Sequence, residues 1–334
     1  MNENEVKVEN VQPKVLTEPK VVDPKKGGKA FNIIIIVLLL LVIGGGIAIG
    51  VKELAGKKDK TEEKTEEKKE EQKEEYPKYD EEVVVDASLA TQPLTDAYIK
   101  GLDNFNIRAD YSNTDPAYTK LINGEVDLII VTEPSKDESE RAKKAGVELE
   151  VTPVVNEGFT FYTHKDNPVD DLKLTDIQKI YTGEITNWKQ VGGPDAKIIA
   201  YQRPVNSGSQ TGILSLVMKG KKMKKPKSEE YIETMAGIID VVSNYENGKT
   251  AIGYSYYYYA TAMYGNDKIK FFAVDGVKPT HDTIKDETYP LITHYYIVTV
   301  KGKASDTTLK LKEEMLSERG QKIAKEAGYV ERNA

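Results

Sequence analysis

The sequence predicts an α/β fold that is preceded by one transmembrane helix and a charged linker. Short β-branched runs alternate with amphipathic stretches from residue 83 to the C-terminal region, an uncharged apolar stretch occupies residues 31–51, and a run of Lys and Glu follows it. Strands and helices that alternate at this length are typical of parallel sheets with crossover helices, in which ligand sites lie at the carboxyl ends of the strands.

The N-terminal 80 residues are predicted to form three segments. Residues 1–30 are polar and without apolar periodicity, so we expect a disordered cytoplasmic tail. Residues 31–51 have the length of about 20 apolar residues that crosses a bilayer, which predicts a membrane anchor. A cleaved signal peptide is the alternative, but the apolar core is longer than that of a usual signal sequence. Residues 52–80, with Glu and Lys at i,i+4 spacing, are predicted to be a linker.

The location of the folded region follows from these segments. A long foldable region follows the apolar stretch without a second apolar span, and the chain contains no cysteine. We therefore expect a single-pass protein of the cell membrane whose folded region lies outside the cytoplasm. The lack of cysteine also excludes disulfides, thiolate metal ligands, cysteine nucleophiles and a lipid-modified cysteine.

Composition excludes other classes of protein. The formal net charge is -7, and the dense basic stretch at 219–227 lacks the interleaved aromatic residues of a nucleic-acid surface, so we expect no nucleic-acid binding. The three histidines do not have the spacing of metal ligands, which predicts no metal site and no other cofactor. No Ser-His-Asp arrangement or Walker loop is visible, so we expect no catalytic residues and no enzyme.

The folded region is predicted to contain two sets of alternating elements. The first set has strands at 83–88, 107–111 and 126–132, with helices from Pro93, from Asp115 and through Lys144. The second set has strands at 158–164, 197–203 and 251–260, with helices at 176–181 and from Ser209. Strands at 268–274 and 294–300 and a closing helix at 306–326 complete the chain. This repetition predicts two lobes.

Three turns place hydroxyl residues directly before a predicted helix. They contain Thr91, Thr114 and the run Ser207-Gly208-Ser209. The unpaired N–H groups and positive dipole end of a helix N-terminus can bind an oxyanion, and a hydroxyl adds a donor. The alternative is that these residues are ordinary helix caps, for which Ser and Thr are preferred without any ligand.

Arg203 makes the third turn the strongest candidate for an anion site. It ends a β-rich run four residues before Ser207, where its planar guanidinium could contact two oxygens of one anion. Gly208 would allow the backbone to approach the ligand closely. An arginine, a Ser-Gly-Ser turn and a helix start within one loop form a moderately specific pattern.

Several segments together resemble the phosphate-binding proteins of phosphate ABC importers. The resemblance covers most of residues 83–330 and is carried by DASLATQPL at 86–94, VDLIIVTEPS at 126–135, IQKIYTGEITNWKQVGG at 177–193, QRPVNSGSQT at 202–211, TAIGYS at 250–255 and ERGQKIAKEAGYV at 318–330. It implies a type II periplasmic-binding-like clamshell with a two-strand hinge, in which lobe 1 contains residues 81–155 and 268–334 and lobe 2 contains residues 156–267.

The resemblance also implies a function and a set of ligand-binding residues. The chain would be a monomeric, extracytoplasmic receptor that binds inorganic phosphate or a related oxyanion and delivers it to separate ABC permease and ATPase subunits. A membrane-anchored surface sensor or adhesion module on the same fold is the alternative. The implied ligand-binding residues are Thr91, Thr114, Thr132, Arg203, Ser207, Gly208 and Ser209.

Position 132 departs from the family pattern. Many phosphate binders of this family have an Asp there, which accepts the proton of the bound phosphate, whereas this chain has Thr132 followed by Glu133. An Asp would repel a fully ionised oxyanion such as sulfate, because two acceptors facing each other in a dry site are unfavourable. A threonine hydroxyl can donate or accept, so we expect weaker discrimination against sulfate unless Glu133 supplies the acceptor.

Overall fold

The computed structural model describes residues 76–244 and 249–332, which fold into a mixed α/β domain. The strands are β1 (Tyr79–Ser88), β2 (Phe105–Ser112), β3 (Leu128–Val131), β4 (Leu149–His164), β5 (Asp171–Leu172), β6 (Ile199–Ala200), β7 (Ala251–Tyr256), β8 (Ile269–Phe271), β9 (Ala273–Val274) and β10 (Ile292–Val300). The helices are α1 (Gln92–Gly101), α2 (Thr114–Asn123), α3 (Lys136–Lys144), α4 (Leu174–Thr182), α5 (Gly208–Gly212), α6 (Met235–Ser243), α7 (His281–Lys285), α8 (Asp306–Leu316) and α9 (Glu318–Glu326).

The predicted tail, anchor and most of the linker lie outside these described residues. Within residues 76–244 and 249–332, none of the helices is both long enough and apolar enough to cross a membrane.

The main sheet combines parallel and antiparallel pairs. Its strand order is β2-β1-β3-β10-β4-β7-β6, and β8 pairs with β4 beside this path. The predicted βαβαβ unit is confirmed, because β1 pairs in parallel with both β2 and β3. The prediction of parallel sheets holds only in part, since β10 runs antiparallel to β3 and β4, and β4 runs antiparallel to β7.

Strand β4 is more than twice as long as predicted. The sequence pattern predicted a strand at 158–164, whereas β4 runs from Leu149 to His164. The first half contains Pro153, Asn156 and Glu157, which are residue types that are depleted in strands. The sequence pattern therefore did not predict a strand there. Asn156 and Glu157 are nevertheless buried, because β10 pairs with β4 along this stretch.

The predicted closing helix at 306–326 is two helices. Ser317 has extended backbone angles and separates α8 from α9, and its hydroxyl accepts a hydrogen bond from Gly320 N. A Cβ atom at Gly320 would lie 2.3 Å from the carbonyl oxygen of Glu314, so only glycine fits at this corner. The corner therefore depends on Gly320, a requirement that a helical periodicity does not reveal.

Trp188 anchors the TGEITNW segment in the hydrophobic core. Its side chain is fully buried, stacks on Phe272 with ring centroids 5.9 Å apart, and donates a hydrogen bond from Nε1 to Thr250 O at 3.0 Å. Because a buried indole N–H needs an acceptor, this hydrogen bond offsets the free energy of removing the N–H group from water. The contacts of Trp188 therefore give this segment a structural role.

Glu157 is a buried carboxyl group on β4. It is 1% exposed and accepts hydrogen bonds from Gly158 N at 2.8 Å and Tyr258 N at 3.2 Å. Burial raises the pKa of Glu157 to about 8, and the backbone hydrogen bonds offset only part of this rise. The carboxyl group is therefore protonated in the folded protein at neutral pH.

We predict that this proton makes stability depend on pH. Between the ordinary carboxyl pKa of about 4.5 and the folded pKa of about 8, the folded state binds more protons than the unfolded state, so stability falls as pH rises. Thermal unfolding of the wild type and Glu157→Gln at pH 6 and pH 9 measures this effect. The wild-type midpoint should fall more than that of the variant, and equal pH dependence in both proteins would contradict the prediction.

Candidate anion-binding site

A cavity of about 320 Å³ lies at the carboxyl ends of the parallel strands. Its wall includes Ser88 at the end of β1, Thr114 at the start of α2 and Thr132 directly after β3. Further polar groups of the wall come from the loop 203–209, which leads into α5. The cavity therefore lies where the alternating strands and helices predicted a ligand site.

Six of the seven predicted ligand-binding residues line this one cavity. They are Thr114, Thr132, Arg203, Ser207, Gly208 and Ser209. Positions separated by up to 95 residues in the sequence thus meet in one place. Such convergence is not expected of unrelated helix caps.

Thr91, the seventh predicted residue, is buried outside the cavity wall. Its side chain is 0% exposed, and its hydroxyl lies within hydrogen-bond distance of Ile130 O and of Ser88 O. Thr91 precedes α1 but makes no side-chain cap hydrogen bond. It links the loop after β1 to β3, and the neighbouring residues Leu89 and Ala90 line the cavity instead.

The loop 203–209 is held in place by side chains from α5 and β7. Arg203 N donates to Gln210 Oε1 at 3.1 Å and to the Tyr254 hydroxyl at 3.0 Å. The Tyr256 hydroxyl donates to Gly208 O at 2.8 Å. Ser207 accepts from Gln210 N at 3.3 Å and so caps α5. These contacts fix the loop before any ligand binds, which reduces the entropy lost on binding.

The role of Tyr254 and Gln210 in this loop was not predicted from the sequence. Both side chains are buried, and the Tyr254 hydroxyl donates to Gln210 Oε1. Tyr256 has two roles. Its ring packs with a centroid 5.5 Å from that of Phe159, and its hydroxyl contacts Gly208 in the cavity wall. The only sequence signal for these contacts is that Tyr254 and Gln210 lie in TAIGYS and QRPVNSGSQT, two of the segments that carry the family resemblance.

Three buried polar atoms in the cavity wall have no hydrogen-bond partner of good geometry within the described residues. They are Thr132 Oγ1, Arg203 Nε and Ser209 Oγ, although the Tyr256 hydroxyl lies near Thr132. Thr132 and Ser209 are each only 2% exposed. An unpaired buried polar group costs about 1–3 kcal/mol, so three of them in one cavity indicate a site for a ligand that accepts hydrogen bonds.

Arg203 supplies positive charge to the cavity. Its guanidinium is half-buried and forms no salt bridge with the carboxylates of residues 76–244 and 249–332. Burial lowers the pKa of Arg203, and Glu233 and nearby tyrosines partly offset this, but an arginine stays charged at neutral pH. A half-buried guanidinium without an ion partner favours an anion.

Gly208 lies against the hydroxyl groups of Thr132 and Thr114. A Cβ atom at position 208 would be 2.6 Å from Thr132 Oγ1 and 3.0 Å from Thr114 Oγ1. Glycine is therefore required for close approach of the α5 backbone to the two threonines. The N-terminus of α5 and the two hydroxyls form one continuous donor surface.

Carboxylates in and near the cavity have different environments. Glu133 is not part of the wall. Its side chain accepts a hydrogen bond from the Ser215 hydroxyl. Burial raises the pKa of Glu133. Asp115 lies in the wall but forms a salt bridge with Arg141. Glu233 lies in the wall and is exposed. Glu133 is therefore poorly placed to replace the family Asp.

The chain is similar to known proteins in sequence and in fold. A family model described as a PBP superfamily domain matches residues 83–319. The phosphate-binding protein PstS of Bacillus subtilis is 30% identical over 188 residues, which cover 56% of this chain and 58% of that protein. The phosphate-binding protein PstS of Staphylococcus saprophyticus is 27% identical over 263 residues, which cover 76% of this chain and 81% of that protein.

Solved structures give the same fold. A putative phosphate ABC transporter substrate-binding protein with bound phosphate from Clostridium perfringens has a TM-score of 0.60 and 25% identity, and the match covers 76% of this chain and all of that one. An ABC-type phosphate transport receptor from Vibrio cholerae has a TM-score of 0.59 at 21% identity, over 75% of this chain and all of that one. The predicted resemblance is thus confirmed, and the chain belongs to the PBP superfamily.

Proposed function

We propose that this chain is an extracytoplasmic receptor that binds phosphate or a related oxyanion and delivers it to an ABC importer. One observation carries the proposal: Thr132 Oγ1, Arg203 Nε and Ser209 Oγ are buried polar atoms in the wall of one cavity, and none has a hydrogen-bond partner of good geometry among the described residues. A tetrahedral oxyanion offers acceptors in several directions at once, so it can pair with hydroxyl donors and a guanidinium that converge from different elements.

The transport role is supported by the relatives, which are phosphate-binding proteins, and by the Clostridium perfringens structure, which is that of a putative phosphate ABC transporter substrate-binding protein. No Walker loop is present in the sequence, so a receptor of this kind needs separate permease and ATPase subunits. We further propose that the chain acts as a binding protein without catalytic activity, in a monomeric state.

We propose that the domain closes as a clamshell, with residues 81–155 and 268–334 in one lobe and residues 156–267 in the other. The origin of the cavity wall supports this division, because Thr114 and Thr132 belong to the first lobe and the loop 203–209 to the second. Binding would then favour the closed arrangement, since the ligand contacts both sets of donors only when they are close together.

We propose that residues 31–51 anchor the protein in the cell membrane, because this uncharged stretch is long enough to span a bilayer. We expect the native protein to remain with the membrane fraction after a salt wash and to be released by detergent. Recovery of the protein from the medium with an N-terminus beyond Gly50 would contradict a retained anchor.

Titration calorimetry of the full-length protein in detergent tests the binding function. Phosphate, sulfate, molybdate and tungstate should be compared at the same ionic strength and pH. We expect saturable binding of phosphate at one site per chain. If none of the four anions binds, the proposed function is wrong.

We predict that Thr132→Asp increases selectivity for phosphate over sulfate by about tenfold, because an added acceptor disfavours the ligand that has no proton to donate. Competition binding on the wild type and the variant measures this ratio. Glu133→Gln is the matched control and should leave the ratio unchanged, because Glu133 contacts Ser215 and not the cavity. A fall in selectivity in Glu133→Gln would show that Glu133 accepts a hydrogen bond from the protonated oxygen of phosphate.

A further inference from the structure

The cavity is larger than a tetrahedral ion requires. A phosphate or sulfate ion occupies roughly 60–90 Å³, two to three times the volume of a water molecule. The cavity measures about 320 Å³, which lies within the range of about 300–1,000 Å³ that is usual for pockets of larger organic ligands. An anion at the three unpaired donors would therefore fill less than half of it.

One part of the wall is mainly apolar. It is formed by Leu89, Pro204, Val205, Met235 and Tyr259. Met235 and Tyr259 pack against the main hydrophobic core. Leu89 and Val205 belong to none of the core clusters of the described residues and are 49% and 77% exposed. Core packing therefore does not explain why these two positions are apolar.

The two exposed positions are unusual within this domain. Among the described residues, six large apolar side chains are exposed, and two of the six lie on this one cavity. The rest of the cavity is mainly polar, with serine and threonine hydroxyls, Arg203 and the carboxylates of Asp115 and Glu233. Apolar groups beside a cluster of oxyanion donors make the cavity amphipathic.

Val205 is also held in a fixed position. Ser207 N donates to Pro204 O at 3.1 Å and closes a tight turn with Val205 at its tip. Asn206 has a left-handed φ of 65° and donates from Nδ2 to Asp137 Oδ2 at 3.2 Å, which ties the turn to α3. Turn chemistry favours Asn, Asp, Gly, Pro or Ser at such a tip, so the turn itself does not require a valine.

We infer that the site accepts an oxyanion of phosphorus that carries one small apolar substituent, such as an alkyl- or arylphosphonate, in addition to the unsubstituted ion. The phosphorus oxygens would pair with Thr132, Arg203 and Ser209, and the substituent would lie against Leu89 and Val205. This inference depends on the proposed function, because the same donors hold both kinds of ligand. It adds a class of ligand that has one tetrahedral anionic group and one hydrophobic group.

Titration of the full-length protein in detergent with inorganic phosphate and with phenylphosphonate tests the inference. We expect both to bind, in mutual competition. In the double variant Leu89→Ala/Val205→Ala, the affinity ratio of phenylphosphonate to phosphate should fall at least fivefold, because the lost apolar contact serves only the substituted ligand. Leu309→Ala is the matched control, since Leu309 is 38% exposed and lies outside the cavity, and it should leave the ratio unchanged.

The outcomes separate this inference from the proposed function. Binding of phosphate without binding of phenylphosphonate would overturn the inference and leave the phosphate receptor intact. An unchanged ratio in the double variant would also overturn it, because the substituent would then lie elsewhere. If neither ligand binds, the proposed function fails together with the inference.

Discussion

Arg203→Ala should weaken phosphate binding by about 10- to 150-fold. A hydrogen bond to a charged group contributes about 1.5–3 kcal/mol, and Arg203 is the arginine in the cavity wall. The effect on folding should be small, since the guanidinium forms no salt bridge with the described residues and its Nε has no partner there. Titration calorimetry measures the affinity, and thermal unfolding checks the fold.

Two further variants separate the geometry of Arg203 from its charge. Arg203→Lys should restore only part of the affinity, because an ammonium group cannot reproduce the planar guanidinium contact. Arg108→Ala removes the same charge from β2, where the side chain is 51% exposed and pairs with Glu82, and it should leave binding nearly unchanged. Normal affinity in Arg203→Ala, or an equal loss in Arg108→Ala, would show that the cavity around Arg203 is not the anion site.

Gly208→Ala should reduce phosphate affinity by at least tenfold. The new methyl group would lie 2.6 Å from Thr132 Oγ1, a distance that requires one of the two groups to move. Thr132 is β-branched and buried, so its side chain has few alternative rotamers, and the wall itself must shift. A shift would separate Thr132 from Ser209 and misalign donors that must contact one ligand together.

The matched control is Gly302→Ala. Gly302 has a φ of 71°, and no atom lies within 4 Å of the position that an added methyl group would take, so alanine there strains the backbone without entering the cavity. We expect Gly302→Ala to lower the unfolding temperature and to leave phosphate affinity unchanged. Gly208→Ala should lower phosphate affinity, whatever its effect on the unfolding temperature. Unchanged affinity in Gly208→Ala would mean that close approach of α5 to Thr132 is not needed for binding.

Local patterns predicted much of the fold and most of the site. The alternation of strands and helices from residue 83 predicted the parallel unit of β1, β2 and β3. Hydroxyl residues at helix starts and the Arg203 turn predicted five positions of the cavity wall, and the family resemblance added Thr132. Both signals are local in sequence, because a strand period, a cap and a glycine turn are each contained within a few residues.

Other features depend on contacts between distant residues. The polar first half of β4 is a strand because β10 pairs with it, and no local period reveals this. Thr91 has the same local pattern as Thr114, yet its hydroxyl faces Ile130 O, 39 residues away, and not the cavity. The contacts of Tyr254 and Gln210 with the Arg203 loop are equally non-local. Tertiary packing decides such placements, and the conformational propensities of single residues carry no information about it.

A crystal structure of the protein with bound phosphate is the most direct test of the proposed anion site. We expect one phosphate in the cavity between β3 and α5, with its oxygens within about 3.2 Å of Thr132 Oγ1, Arg203 Nε and Ser209 Oγ. Within the cavity wall, these three buried atoms have no partner of good geometry among the described residues. A phosphate bound elsewhere, with the three atoms still unpaired, would contradict this assignment of the site.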